Sequence, residues 1–301
     1  MVFALVATDE GITMLDADGT ASPELDDAAV ARLVRTADGC WAIADRTCLL
    51  RRLEDGSWDE IAQADANLTC LLPFQGGVLA GTTDGQLLRV DSDSVMPLAG
   101  FDSIDGREDW HAVPSGVPYV RSLTATADAG AVLANVHVGG IPRSTDAGAT
   151  WSPTIDPDAD VHEVRAHPTD PALVLAAAAV GFAKSTDGGV AWHVITDGLH
   201  ATYARAVAFT NEAALVTVSD GPFSTTGAVY RWILGGDEPL EQCLDGLPGW
   251  LAGSVDTGCL DAAGEDAVLV DAGGAVFASG DDGMSWFHLA DVEGANSVVL
   301  A

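Results

Sequence analysis

A short phrase with the pattern Ser-x-Asp-x-Gly-x-x-Trp occurs three times in this chain of 301 residues. The copies lie within residues 143–151, 184–192 and 278–286, and the first two tryptophans are 41 residues apart (151 to 192). Self-similarity at a period of about 20–50 residues indicates a repeat architecture. This spacing suits four short strands with their turns, so the repeat constrains the fold more than any other feature.

Each residue type in the phrase has a structural explanation. The aspartate accepts hydrogen bonds from backbone N–H groups of its own turn, the glycine supplies a positive φ, and the tryptophan packs between neighbouring repeats. We therefore expect Asp146, Asp187 and Asp281 to be structural, and we assign no catalytic residue.

The phrase resembles the Asp-box, or BNR repeat, found in sialidases, sortilin-like receptors, xyloglucanase-type glycosidases and photosystem II assembly factors. That resemblance implies a β-propeller in which each box is the turn between the third and fourth strands of a blade. A shortened copy precedes Trp58, at Asp55-Gly56-Ser57.

The rest of the chain agrees with an all-β class, because short apolar runs bounded by Gly, Asp and Pro indicate successive strands and no segment has a long helical period. Six sets of strands are predicted, at 28–64, 65–103, 115–156, 157–198, 199–247 and 248–295. Residues 1–27 hold two convincing strands, and 296–301 is typical of one innermost strand. We expect both ends to share the first blade, closed by the C-terminal strand, since closure removes exposed sheet edges. The prediction is a single domain over 1–301, a seven-bladed β-propeller; six or eight blades are the alternatives.

Four predicted innermost strands carry an arginine at what looks like the same position: Arg32, Arg121, Arg165 and Arg205. Equivalent positions on successive blades become neighbours around the axis, so these guanidinium groups are expected to form a partial ring at the channel mouth. Guanidinium groups suit carboxylate, sulfate or phosphate. The predicted ligand-binding set is completed by residues in loops at the same end: Arg46, Trp110, Tyr119, His162 and Tyr203. The alternative is that each arginine pairs with a loop carboxylate such as Asp160 or Glu163.

The charge of the chain restricts its environment and its partners. Its formal net charge is −32, with 45 acidic and 13 basic residues. Only one of the basic residues, Lys184, is a lysine. Concentrated salt would screen this self-repulsion, so we expect a halophilic, cytoplasmic protein. The same charge argues against nucleic acid and anionic membranes as partners. The N-terminal segment lacks a basic region and its apolar run ends early, so no signal peptide is expected. No apolar stretch approaches the roughly 18 residues needed to span a bilayer, so no membrane insertion is expected.

The cysteines and histidines give no strong metal signal. The five cysteines form no C-x-x-C pair and are expected to be reduced thiols. The seven histidines show no ligand spacing along one strand face. A cluster of His137, His162 and His200 is the alternative to solvated or hydrogen-bonded residues. We therefore expect no metal and no cofactor.

Two classes of function remain. The first is a non-catalytic binding or scaffold propeller that recognises a partner protein or a small anionic ligand through the arginines, as resemblance to the assembly factors implies. The second is a glycosidase, since Arg121, Arg165 and Arg205 with Tyr203 and Glu163 imitate the sialidase set. Two departures from the sialidases weaken it: their Arg-Ile-Pro motif is absent, and their substrates are extracellular whereas no export signal is expected here. Xyloglucanase-type enzymes use a cleft between two propellers, and this chain is long enough for only one.

Overall fold

The computed structural model describes residues 4–36, 39–91, 94–111, 117–236 and 238–301. Their strands form seven antiparallel sheets, and five of these are meanders of four consecutive strands. The first sheet also takes in the last strand of the chain, and the sixth has a fifth strand. The fold is a seven-bladed β-propeller, which confirms the predicted class and blade number. Within the described ranges, no helix combines the length and apolarity that crossing a membrane requires.

The chain divides into two compact units. Unit 1 comprises Met1–Ile61 and Thr196–Ala301, and unit 2 comprises Ala62–Ile195. Unit 1 contains blades 1, 2, 6 and 7, and unit 2 contains blades 3, 4 and 5. The fourth strand of blade 2 crosses the boundary between the units.

The blades of unit 1 take strands from both ends of the chain. Blade 1 has β1 (Ala4–Thr8), β2 (Gly11–Leu15), β3 (Ala21–Asp26) and β29 (Ala295–Leu300). Blade 2 has β4 (Val30–Thr36), β5 (Gly39–Ala44), β6 (Cys48–Arg52) and β7 (Trp58–Gln63). Blade 6 has β20 (Tyr203–Phe209), β21 (Ala213–Ser219), β22 (Thr226–Ile233), β23 (Glu241–Gln242) and β24 (Leu251–Ala252). Blade 7 has β25 (Leu260–Ala263), β26 (Asp266–Val270), β27 (Ala275–Ser279) and β28 (Phe287–Asp291). Strand β24 falls in the sequence segment assigned to the last blade, but it pairs with β22 of blade 6.

The blades of unit 2 are continuous in sequence. Blade 3 has β8 (Leu68–Phe74), β9 (Gly77–Thr82), β10 (Leu87–Asp91) and β11 (Ser94–Pro97), and a short helix α1 (Ala99–Asp102) follows it. Blade 4 has β12 (Val120–Ala125), β13 (Val132–Val136), β14 (Pro142–Ser144) and β15 (Ser152–Pro153). Blade 5 has β16 (Val161–Ala166), β17 (Val174–Ala178), β18 (Gly181–Ser185) and β19 (His193–Ile195). Two 3-10 helices, Arg107–Asp109 and Pro157–Ala159, precede blades 4 and 5.

The C-terminal strand closes blade 1. β29 pairs antiparallel with β1, with Val298 opposite Val6 and Leu300 opposite Ala4. All five residues of β1 are buried, because one edge meets β2 and the other meets β29. The predicted closure of the first blade by the C-terminus is confirmed.

Polar side chains on one innermost strand satisfy the backbone of the next. In unit 1, Ser297 Oγ accepts the Leu33 N–H at 3.1 Å, and an Asp261 carboxylate oxygen accepts the Leu300 N–H at 3.1 Å. In unit 2, Ser122 Oγ accepts the N–H of Val164 at 2.9 Å. An innermost strand has a free edge, and a buried N–H without a partner would be costly. These hydroxyl and carboxylate groups therefore join neighbouring blades where no ladder can.

The three repeated phrases form the same turn. In the first, the Ser144 hydroxyl donates to Asp146 at 2.8 Å and accepts the Gly148 N–H at 2.9 Å, while Asp146 accepts the Thr150 N–H at 2.8 Å. The phrases at Asp187 and Asp281 repeat these bonds. Each turn joins the third strand of its blade to the fourth. The hydrogen bonds lower the pKa of Asp146 to about 2.

The tryptophan of each turn reaches the preceding blade. Trp151 is buried edge-on against Phe101, with 5.1 Å between ring centroids. Trp192 donates from Nε1 to the Thr154 hydroxyl at 3.1 Å, and the backbone N–H of Trp286 donates to the Asp245 carbonyl at 2.9 Å. The repeated phrase thus joins blades as well as closing a turn.

Candidate functional site

β-bulges near the start of the innermost strands determine which side chains are equivalent. The register with the second strand shifts across Arg121 in β12, across His162 in β16 and across Arg205 in β20. A bulge re-aims its extra residue and is frequent beside functional sites. Arg121, His162 and Arg205 therefore occupy one structural position in their respective blades.

Two of the predicted arginines do not share that position. In β4 the bulge falls on Ala31, so Arg32 comes one residue later. In β16 the bulge falls on His162, so Arg165 comes three residues later. The predicted equivalence of the four arginines is therefore wrong for Arg32 and Arg165. A bulge adds one residue to a strand and changes which side chains share a face, and local composition does not reveal it.

Several arginines of the protein are committed to structural contacts. Arg35 donates to Asp261 at 2.8 Å, and Arg52 makes two bonds of 2.7 Å to Glu24. Arg143 and Arg231 each donate to a backbone carbonyl at 2.8 Å. Bidentate and carbonyl-bound guanidinium groups of this kind are held in fixed geometry.

Arg205, in unit 1, is held differently. Its Nη2 lies 3.7 Å from Asp256 Oδ2, which is too long for a hydrogen bond. The guanidinium carbon lies 5.4 Å from the centre of the Tyr203 ring. The Arg205 side chain is 14% exposed and that of Asp256 is 46% exposed. Arg205 is therefore oriented by an aromatic face but only loosely neutralised.

Arg32 reaches the same segment of unit 1 from blade 2. Its Nη1 donates to the carbonyl of Thr257, and the Thr257 hydroxyl donates to the carbonyl of Arg205 at 3.2 Å. Gly258 has φ +80°, and a Cβ there would collide with the Arg32 guanidinium. The Nε–H groups of Arg32 and Arg205 are both buried without an acceptor among the described residues. The structure thus brings Arg32, Tyr203 and Arg205 together around the segment 256–258, which we call the 256–258 site.

His200, also in unit 1, lies in an aromatic cluster of blade 6. Its Nδ1 is 2.8 Å from the Tyr230 hydroxyl, and its ring meets Trp250 edge-on at 4.8 Å between centroids. Trp250 is 51% exposed and Phe223 is 88% exposed. Blade 6 therefore presents apolar surface of the kind that partner-binding faces carry.

In unit 2, Arg165 pairs with a carboxylate and Arg121 lies near an aromatic ring. Arg165 donates to Glu163 at 3.0 Å, and Glu163 is buried. Arg121 is itself buried, with its guanidinium carbon 5.7 Å from the centre of the Tyr119 ring. The contact of Arg165 is of the kind expected in the alternative in which each arginine pairs with a loop carboxylate.

Asp160 lies among positive and polarisable neighbours in the same unit. Burial alone would raise its pKa, but a hydrogen bond from His162 and the charges of His162, His137 and Arg121 outweigh burial and lower it. The carboxyl group of Asp160 is therefore ionised throughout the neutral range.

Two candidates remain, Trp110 and Arg46. Trp110 is buried in the core of unit 2, with its ring 5.7 Å from that of Phe101 and covered by Arg107 at 4.5 Å. Arg46 is exposed, with φ 62°, in the turn between β5 and β6. A role for either residue in ligand binding stays a prediction.

The sequence matches no known protein-family model and no curated protein. Solved structures do resemble the fold. YCF48 bound to D1 peptide has a TM-score of 0.57 at 15% identity, with 86% of this chain and 82% of that chain covered. The RRP9 WD40 repeats have a TM-score of 0.61 at 13% identity, covering 90% and 83%.

An ancestral GH74 enzyme has a TM-score of 0.63 at 14% identity over 92% of this chain. The chain spans only 37% of the length of that enzyme. At these levels of identity, the likenesses establish the propeller fold alone.

Proposed function

We propose that the protein is a non-catalytic binding or scaffold propeller that recognises an anionic group of a partner protein, or a small anionic ligand, at the 256–258 site. The observation that carries the proposal is the loose pairing of Arg205. Its carboxylate partner is 3.7 Å away and 46% exposed, so an incoming carboxylate or phosphate competes with Asp256 for a guanidinium group already oriented by Tyr203.

The blade that carries Arg205 also exposes aromatic surface that suits a macromolecular partner. Trp250 and Phe223 expose aromatic surface on blade 6, and interfaces are enriched in aromatic residues and arginine. One structural neighbour, YCF48, was solved bound to a peptide. By analogy, we propose that this protein also holds a segment of another protein.

We extend the proposal to the repeat family of the protein and to its cellular environment. We infer an Asp-box propeller because all three phrases repeat one hydrogen-bond pattern around Asp146, Asp187 and Asp281. We infer a high-salt cytoplasm from the net charge of −32. A salt-resistant partner contact would then depend more on bidentate geometry and aromatic burial than on long-range attraction.

The glycosidase alternative has less support. Glu163, the candidate to activate a tyrosine nucleophile, is buried and bonded to Arg165 at 3.0 Å. A two-carboxylate mechanism requires both groups to face a sugar site.

The test is quantitative affinity capture from the native host in molar KCl, with the full chain as bait. Arg205→Gln and Arg32→Gln are compared with Arg51→Gln, which removes the same charge at an arginine that lies over Trp41. We expect at least one protein to be retained by the wild type and by the control, and to be reduced about tenfold or more by Arg205→Gln, since a charged hydrogen bond contributes roughly 1.5–3 kcal/mol.

Circular dichroism checks that each variant remains folded. Equal retention of every captured protein by the folded Arg205→Gln, Arg32→Gln and control baits would refute recognition at this site. Turnover of a sialoside or xyloglucan oligosaccharide by the wild type would refute the non-catalytic assignment.

A further inference from the structure

Three metal-ligating side chains of unit 2 converge at the start of blade 5. His137, Asp160 and His162 each offer one ligand atom, and these atoms all lie within 4.8 Å of one another. Nε2 of His137 is 3.3 Å from Asp160 Oδ1, and Nε2 of His162 is 3.5 Å from Asp160 Oδ2. The two imidazole rings are stacked with 6.3 Å between centroids. We call these three residues the 137–160–162 cluster.

From this geometry we propose that the 137–160–162 cluster is a binding site for a divalent transition-metal ion, with Zn²⁺ as the best fit. Zinc binds histidine nitrogen and carboxylate oxygen at about 2.0–2.2 Å, so two ligands of a tetrahedral ion lie roughly 3.3 Å apart. Each histidine nitrogen already lies near that distance from one of the two Asp160 carboxylate oxygens, and a closure of no more than about 1.5 Å brings all three ligand atoms to tetrahedral spacing. Two imidazoles and one carboxylate suit zinc, cobalt or nickel better than calcium or magnesium.

The backbone fixes each of the three residues. The N–H of His137 donates to the Tyr119 carbonyl at 2.9 Å. Asp160 has φ 48° after the 3-10 helix, its N–H donates to the Pro157 carbonyl at 3.1 Å, and its carbonyl accepts the Ala179 N–H at 2.9 Å. His162 is the bulge residue of β16 and is fully buried. A metal site needs ligands held in this way on a rigid scaffold.

The carboxylate of Asp160 has an oxygen atom with unused acceptor capacity. Oδ1 of Asp160 is buried and accepts no hydrogen bond within the described part of the chain. With three protein ligands, the fourth position of a tetrahedral ion is left for water.

Arg121 opposes the binding of a cation. Its charge acts on Asp160, so it competes with the metal for the same carboxylate. The site is therefore expected to bind zinc more weakly than a closed structural site with four protein ligands.

The experiment is a titration of the untagged, chelator-treated full chain with Zn²⁺ by calorimetry and with Co²⁺ by visible absorption, both in molar KCl with excess Mg²⁺. These conditions suppress non-specific binding to the acidic surface. We expect one ion per chain, displacement of Co²⁺ by Zn²⁺, and the visible spectrum of a four-coordinate Co²⁺ ion.

Asp160→Asn and His137→Gln preserve side-chain size and are expected to lower the affinity at least about 100-fold, since even second-shell changes cost roughly 10–100-fold. His193→Gln, an exposed histidine of the same unit, is the control and is expected to bind as the wild type does. Absence of stoichiometric binding to the folded wild type would overturn the proposal. Undiminished affinity in folded Asp160→Asn would overturn it equally.

Discussion

Replacing Ser297 by alanine tests how much the hydrogen bonds of β29 to its neighbouring blades contribute to stability. Ser297 is fully buried in β29. Its hydroxyl donates to the Gly258 carbonyl at 2.9 Å and accepts the Leu33 N–H at 3.1 Å, so one oxygen contacts segments of blades 2 and 7 from blade 1.

The cost of the substitution follows from which groups lose their partner. The Gly258 carbonyl keeps a second bond, from the Val298 N–H at 2.9 Å, whereas the Leu33 N–H is left buried without an acceptor. An unsatisfied buried donor costs about 1–3 kcal/mol. The change removes only the hydroxyl oxygen and leaves a negligible cavity, so we expect a loss of about 2 kcal/mol, which for a chain of this length lowers the Tm by roughly 3 °C.

The assay is guanidinium chloride unfolding followed by tryptophan fluorescence and circular dichroism in molar salt. Ser152→Ala, at an exposed position of β15, is the control and is expected to change the free energy of unfolding by less than about 0.5 kcal/mol. If Ser297→Ala is as stable as the control, β29 does not pack between blades as described.

Three further predictions concern the repeated turns and the surface. Hydrogen bonds hold the pKa of Asp146 near 2, below the unfolded value of about 3.9. Its stabilising contribution is therefore complete above pH 4 and is lost as the pH falls toward 2; acid titrations should show a smaller loss for Asp146→Asn than for the wild type, and identical curves would contradict this. Trp151→Ala removes a buried ring that packs on Phe101 and should cost about 3–5 kcal/mol in denaturant unfolding; a cost below about 1 kcal/mol would show that the ring does not join the blades. The net charge is −32, and raising KCl from 0.1 M to about 1 M shortens the Debye length from about 10 to about 3 Å. Because this screening weakens the self-repulsion, Tm should rise over that range, and a Tm that falls would refute the high-salt inference.

The blade count and the closure by β29 were predictable from sequence because they rest on local, repeated chemistry. Ser144, Asp146 and Gly148 make the same bonds wherever the phrase occurs. The short strands between the turns follow from their apolar runs and bounding glycines. The unpaired C-terminal segment then had one sheet to complete.

The functional residues were less predictable, because bulges and left-handed residues decide where side chains point. The shift at His162 separates Arg165 from the position of Arg121 and Arg205. Asp160 joins the histidines from a left-handed position, with φ 48°, after a short 3-10 helix. His200 lies with Tyr230 instead. Asp256 lies near Arg205, and Thr257 accepts a hydrogen bond from Arg32. The sequence signal for these contacts was Gly258, whose missing Cβ leaves room for Arg32.

Arginine side-chain NMR shows whether Arg205 and Arg32 form a site for anionic groups. The Nε–H signals of the twelve arginines are followed while citrate replaces chloride at constant ionic strength. We expect saturable shifts for Arg205 and Arg32 that are lost in Arg205→Gln, while Arg35 and Arg52, already bonded to carboxylates, stay unchanged. Shifts that are linear in citrate, or spread evenly over all arginines, would show that these two residues form no anion site.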